Sequence, residues 1–255
     1  MHQEVTDNMK FCVLSSGSKG NSTYIEINNH KFLIDVGRNF LYLSTKLKEI
    51  DVDIKDIEGI FITHNHQDHI QGLKVFINKV NPTIYLSKKI YDAIDMDIDN
   101  YVFIEDDYNI DEIEIKTIKL SHDTPECKGY VFINKDKDLV YITDTGYINK
   151  NYFAVLKNRC AYILESNHDV EMLMNCSRPY PLKMRVLGDS GHISNKDCLY
   201  YLTNFIGDKT KYVILAHISH DNNDPVLAYN NIKDNLDIEN LLVAKQEDRL
   251  EVIEL

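Results

Sequence analysis

Thr63-His64-Asn65-His66-Gln67-Asp68-His69-Ile70-Gln71-Gly72 places three histidines and an aspartate within six residues, directly after the apolar run Ile60-Phe61-Ile62. Residues two apart on an extended backbone leave the same face, so His64 and His66 can grip one cation. Asp68 and His69 fall where the strand must turn into a helix, and can point to a second position beside the first. A two-metal site is the expectation.

Outward from this run, potential ligands recur at the ends of apolar segments. Lys31 to Ile34 ends on Asp35, Glu112 to Leu120 on Ser121-His122-Asp123, Leu139 to Ile142 on Thr143-Asp144, Ala161 to Leu164 on Glu165-Ser166-Asn167-His168, and Tyr212 to Ala216 on His217. Each of these segments has strand character, and polar turns such as Ser15 to Ser22 and Asn28-Asn29-His30 separate the early ones. Helical spacing appears over Leu41 to Ile50, over His69 to Val80 until Asn81-Pro82, and over Asn195 to Phe205 behind the cap Ser194. A further helix opens at Asp224-Pro225. Leu241 to Val243 and Leu250 to Ile253 are expected to finish together on one edge. No internal sequence repeat stands out. The pattern predicts an α/β fold, a four-layer αββα sandwich of two mixed sheets with helices on both outer faces. A doubly wound parallel sheet accommodates the early hairpins less well.

The chain-wide numbers are compatible with one domain over residues 1–255, with 1–9 read as a flexible N-terminal extension. No apolar run approaches the roughly 18 residues of a membrane span, and the first ten residues have neither the basic start nor the hydrophobic stretch of a secretory signal. No membrane insertion is expected. The five cysteines are scattered and odd in number, which fits a reducing, cytoplasmic setting rather than a disulfide scaffold. A formal charge of −12 argues against broad adhesion to nucleic acid. Any nucleic-acid substrate must therefore be held locally, through metals and a few basic residues.

Taken together, Asp35, His64, His66, Asp68, His69, His122, Asp144 and His217 resemble the ordered ligand pattern of the metallo-β-lactamase superfamily. Within it they resemble the phosphodiester-cleaving, YycJ/WalJ-like members. Ser16-Gly17-Ser18-Lys19-Gly20-Asn21-Ser22, Glu165 to Asp169, Gly191-His192-Ile193-Ser194-Asn195 and His217-Ile218-Ser219 with Asn222-Asn223 resemble local segments of the same family. The resemblance implies that His64, His66 and His122 hold one ion and Asp68, His69 and His217 the other, with Asp144 bridging them. His220 remains a competing neighbour of His217. Histidine and carboxylate donors without thiolate suit zinc, manganese or iron, two ions per chain. Asp35 is expected to orient a histidine or the loop backbone rather than bind metal.

The implied activity is metal-dependent phosphodiester hydrolysis through a dinuclear, metal-activated hydroxide, in a DNA exonuclease of 5′-to-3′ polarity. The expected catalytic residues are Asp68, His192 as proton donor or phosphate clamp, and Glu165 as its orienter. Lys19, Arg38 and His168 are candidate substrate contacts. RNA processing, hydrolysis of a small phosphodiester, thioester or lactam, and a noncatalytic metal-stabilised regulatory role are the alternatives. Protein partners and self-association stay open.

Overall fold

A computed structural model of the chain describes residues 8–255. In the first sheet, β1 (Met9–Ser15), β2 (Ser22–Ile27) and β3 (His30–Ile34) form an antiparallel meander, and β4 (Gly59–Phe61), β5 (Thr83–Leu86) and β6 (Tyr101–Phe103) continue it in parallel. The second sheet repeats this order. There β7 (Tyr108–Ile110), β8 (Ile113–Leu120), β9 (Cys127–Asn134) and β10 (Lys137–Ile142) are antiparallel neighbours, followed in parallel by β11 (Ala161–Glu165), β12 (Tyr212–Ala216) and β13 (Asn240–Val243). A last strand, β14 (Ile253–Glu254), returns to pair antiparallel with β1. The helices are α1 (Phe40–Lys48), α2 (Gln67–Ile70), α3 (Leu73–Lys79), α4 (Lys88–Ala93), α5 (Phe153–Leu156), α6 (Val170–Asn175), α7 (Tyr180–Leu187), α8 (Asn195–Phe205) and α9 (Pro225–Lys233).

Strand alternation explains the layering. In β3, Phe32 and Ile34 enter a core between the sheets together with Phe11, Phe61, Phe132 and Ile163, whereas Leu33 faces outward to Leu43 and Leu47 of α1 and Phe76 of α3. In β11, Ala161 and Ile163 point inward while Tyr162 and Leu164 meet Leu202 and Phe205 of α8. Both faces of each sheet are therefore covered, which is why the central strands read as nearly continuous apolar runs. Each such side chain contributes roughly 1.5–3 kcal/mol on burial. The expected αββα sandwich is the observed one.

Several expectations change in detail. The single helix expected over His69 to Val80 is two, α2 and α3, broken at Gly72, whose N–H donates to Val36 O and whose Cα lies too close to Arg38 O for a Cβ. The last two segments do not share an edge: β13 borders the second sheet, and β14 crosses back to the first. A further helix, α7, takes in Leu182 to Leu187, a segment whose spacing marks no element. Of the expected N-terminal extension, residues 1–7 lie outside the described residues, and Met9 opens β1 with its side chain buried. Among the described residues no helix is long and apolar enough to cross a membrane.

Candidate metal centre

Loops at one end of both sheets converge on a cavity of about 340 Å³. The loop after β4 supplies His64, His66 at the entry to α2, and Asp68 and His69 within it. This loop is bracketed by the turn after β3, where Val36 N–H donates to His69 O at 2.8 Å, and by the turn before β2, where Asn21 N–H donates to Asp68 O at 2.7 Å. The loop after β8 supplies His122, the turn after β10 Asp144, and the turn after β12 His217. Asp35, Asp144 and His217 all take positive φ (58°, 57° and 54°), a conformation that ends the strand abruptly and turns the side chain toward its neighbours.

The donors form interlocking groups. His64, His66 and His122 bring one nitrogen each within 4.8 Å of one another, and so do the donor atoms of Asp68, His69 and His217. Asp144 belongs with His64 and His69 on one side and with Glu165, His192 and His217 on the other. Its Oδ2 is 3.2 Å from His69 Nε2, and its Oδ1 is 3.3 Å from His217 Nδ1. His64 Nε2, His217 Nε2 and Asp144 Oδ2 are each buried without a hydrogen-bond partner among the described residues. Buried polar atoms are rarely left so, and cations held by these groups would satisfy all three. The donor set thus fits metal ions.

Electrostatics agree with this fit. Burial holds the imidazoles of His64 and His122 below their usual range, leaving them neutral and free to donate a lone pair. Burial acts the same way on His69 and His217, but carboxylates outweigh it. Asp144 and Asp35 bring His69 up to about 10, and Asp144, Asp68 and Glu165 raise His217 well above the ordinary value. Asp144 itself is held well below the usual carboxylate range, because His217 and His69 overcome the cost of its burial. The pocket is built to hold positive charge.

Buried carboxylates orient the histidines. Asp35 accepts from Thr63 N–H at 2.8 Å and Thr63 Oγ1 at 2.8 Å, and lies 2.7 Å from His69 Nδ1, so it ties both the ring and the loop backbone. Glu165 Oε1 lies 2.8 Å from His192 Nδ1 and 2.9 Å from His217 Nδ1, while its Oε2 accepts from Thr145 and Ile193 N–H. His192 and His217 overcome the burial cost and hold Glu165 down to about 2. With Nδ1 so engaged, His192 lines the cavity with Nε2 as its remaining ring nitrogen.

Other candidates fall elsewhere. His220 is 84% exposed and turned to Asp221, so His217 alone of that pair reaches the centre. Lys19 and Arg38 share Glu247 in ion pairs outside the cavity lining, and Arg38 also stacks on Tyr42. His168 is buried in a bridge with Ser194 and does not line the cavity, so a substrate contact through it is not what the geometry provides. Cys127 sits beneath the centre, its Sγ donating to Asp144 O at 3.5 Å, and burial pushes its thiol up and keeps it neutral. Sequence reasoning missed Asn21, whose amide is 2.9 Å from His69 Nε2, and Asp123, whose Oδ1 lies 3.4 Å from His122 Nε2. Proximity to His122 was the one available signal for Asp123.

A two-sheet sandwich carrying such a centre defines a class. Residues 16–217 match the family model of the metallo-beta-lactamase superfamily, and the chain belongs to that superfamily. Within it the chain is YycJ/WalJ-like. It is 37% identical over 227 residues to the exodeoxyribonuclease YycJ of Bacillus anthracis, covering 86% of each chain. It is 34% identical over 229 residues to the exodeoxyribonuclease WalJ of Streptococcus pneumoniae, covering 86% of this chain and 85% of that one. Among solved structures, the metallo-beta-lactamase fold protein YhfI from Bacillus subtilis superposes with a TM-score of 0.75 at 16% identity, covering 98% of this chain and all of the other.

Proposed function

We propose that the chain works as one domain, a metal-dependent DNA exonuclease of 5′-to-3′ polarity that holds two divalent cations. His64, His66 and His122 would hold one ion, Asp68, His69 and His217 the other, and Asp144 would reach both through its two oxygens. Zinc or manganese suits this donor set best, with iron a further choice. The carrying observation is the convergence of these seven side chains into interlocking donor groups, five of them lining one cavity and His64 and His69 buried behind it, with three orphaned buried donor atoms. The names of the YycJ and WalJ relatives support DNA as the substrate. The free cysteines support a reducing, cytoplasmic setting.

Bound there, the ions would supply an activated water and neutralise charge on the phosphate. The chain's own residues do the rest. Glu165 fixes the ring of His192 through Nδ1 and favours its protonated form, so Nε2 can donate a proton to the leaving oxygen. The same carboxylate fixes His217, which couples the proton donor to a metal ligand through one side chain. Asp35 and Thr63 hold His69 in place from behind.

The test compares end-blocked and open DNA after chelation and metal add-back, with metal content read by elemental analysis. Near two ions per chain, digestion from a free 5′ end and loss of turnover in Asp144→Asn are the expected results. Equal cutting of blocked and open DNA would remove the exonuclease assignment, preferential cutting of RNA would move the substrate, and binding of metal without turnover on any diester would leave a regulatory role.

A further inference from the structure

Two cations line the cavity that the mechanism above does not use, Arg178 and Arg185. Both lie in the segment between β11 and α8, Arg178 in the connection from α6 to α7 and Arg185 in α7. Arg185 Nε donates to Asp123 Oδ2 at 2.8 Å, and the other oxygen of that carboxylate lies 3.4 Å from His122 Nε2 and 3.6 Å from His66 Nε2. Arg185 is therefore one side chain removed from the His64, His66 and His122 group. Arg178 stands at the other end. With Ser18, His192 and His217 it lines both the main cavity and a recess of about 130 Å³ beside it, and its Nη2 donates to Asp221 at 2.9 Å. Between the two arginines, Leu182 and Val186, four apart and so on one face of α7, give the cavity an apolar wall.

We propose that Arg178 and Arg185 form a clamp that lays one polynucleotide strand across the centre, each taking a phosphate that flanks the scissile one. The inference rests on the nuclease reading and names how its substrate is held. A chain of net charge −12 needs local cations to hold a polyanion, and among the described residues no lysine lines this cavity. Both ion pairs are open to solvent, with Arg185 67% and Arg178 42% exposed, so neither holds its arginine strongly. A phosphate can take the place of Asp123 or Asp221 and accept the paired donors of a guanidinium. The scaffold beneath is fixed. Lys183 Nζ donates to Met174 O and Cys176 O at 2.7 Å each, and His192 N–H to Val186 O at 3.0 Å, so α7 is tied to the loop that carries His192. A small phosphodiester has no flanking phosphates to engage, whereas a strand that carries a 5′-phosphate has one on each side even of its first diester.

Steady-state kinetics of the metal-loaded protein with a 5′-phosphorylated single-stranded oligodeoxynucleotide and with bis(p-nitrophenyl) phosphate test this, for wild type, Arg178→Ala, Arg185→Ala, the double variant and the two lysine variants. Each alanine variant is expected to lose roughly tenfold or more in kcat/KM on the oligonucleotide, mainly through KM, and several-fold less on the small diester. The dependence of log(kcat/KM) on log salt should become shallower by roughly 0.7 per arginine removed, and lysine should restore that slope while recovering only part of the rate. Equal losses on both substrates, or an unchanged salt slope, would overturn the clamp while leaving the nuclease reading intact. A wild type that cleaves the small diester but not the oligonucleotide would overturn the nuclease reading and the clamp with it.

Discussion

Asp35 and Glu165 never face the cavity, yet the identity of each decides what its histidines can do. Asp35 offers only acceptors to Thr63 N–H, Thr63 Oγ1 and His69 Nδ1. In Asp35→Asn one oxygen becomes an NH₂, and with the carbonyl kept on Thr63 N–H that NH₂ meets His69 Nδ1. The ring must then accept there and carry its proton on Nε2, the nitrogen needed for metal. Affinity for one of the two ions should fall by about 10–100-fold, read by competition with a graded chelator. Unchanged affinity would mean His69 does not bind through Nε2. Glu165 is surrounded by four donors, so Glu165→Gln cannot seat its amide without leaving buried donors opposed. Stability should drop by about 1–3 kcal/mol in denaturant unfolding, and turnover by roughly 10²–10⁴ if His192 is the proton donor. Wild-type turnover in this variant would remove His192 from that role. The histidine-rich run and the later strand-end ligands were legible because each stands at the end of a short apolar run. Asn21, Arg178 and Arg185 were not, because their partners are remote in sequence and nothing local marks a side chain that meets its partner only after folding; Asp123 had only its neighbour His122 to mark it.

Elements explain how donors so far apart in sequence meet. Each sheet is an antiparallel meander followed by three parallel strands, and the strand that ends on Asp35 in the first occupies the place of the strand that ends before Asp144 in the second. The sequence shows no matching repeat, because the shared topology is carried by strand order and burial rather than by residue identity. Parallel strands leave their loops at one end, where ligands gather. The two-helix break at Gly72 escaped the periodicity for a related reason: Leu73 and Phe76 keep helical spacing, and the break is imposed by the neighbouring loop at Val36 and Arg38. Gly37 shows how tight that packing is, since a Cβ there would lie 1.7 Å from Asp68 O. Gly37→Ala must push the Asp68 and His69 segment away from β3. A loss of about 1–3 kcal/mol by chemical denaturation, with weakened metal binding, is expected. A variant that kept wild-type stability and metal affinity would show that this loop can yield without disturbing the ligands.

For the molecule as a whole, the centre couples folding to both metal and protons. When metal is stripped, the buried carboxylates are balanced by protons on histidine, and His69 is held up to about 10 by Asp144 and Asp35 against the opposing effect of burial. A group with a raised folded-state value stabilises fully below its unfolded value of roughly 6.5, and that contribution is lost as pH rises through the folded value. The chelated protein should therefore lose thermal stability steadily from about pH 6.5 to 10. Divalent cations replace those protons, so the metal-loaded protein should keep its melting temperature over most of the same window. At a free metal concentration one hundred times Kd the added stability is about 2.7 kcal/mol, worth roughly 2–4 °C in Tm for each kcal/mol. The comparison belongs at high ionic strength, where repulsion from the net charge of −12 is screened and cannot imitate the effect. Parallel pH curves for the two forms would mean that the cation does not take the place of the histidine protons, and the metal assignment of His69 would fall with that result.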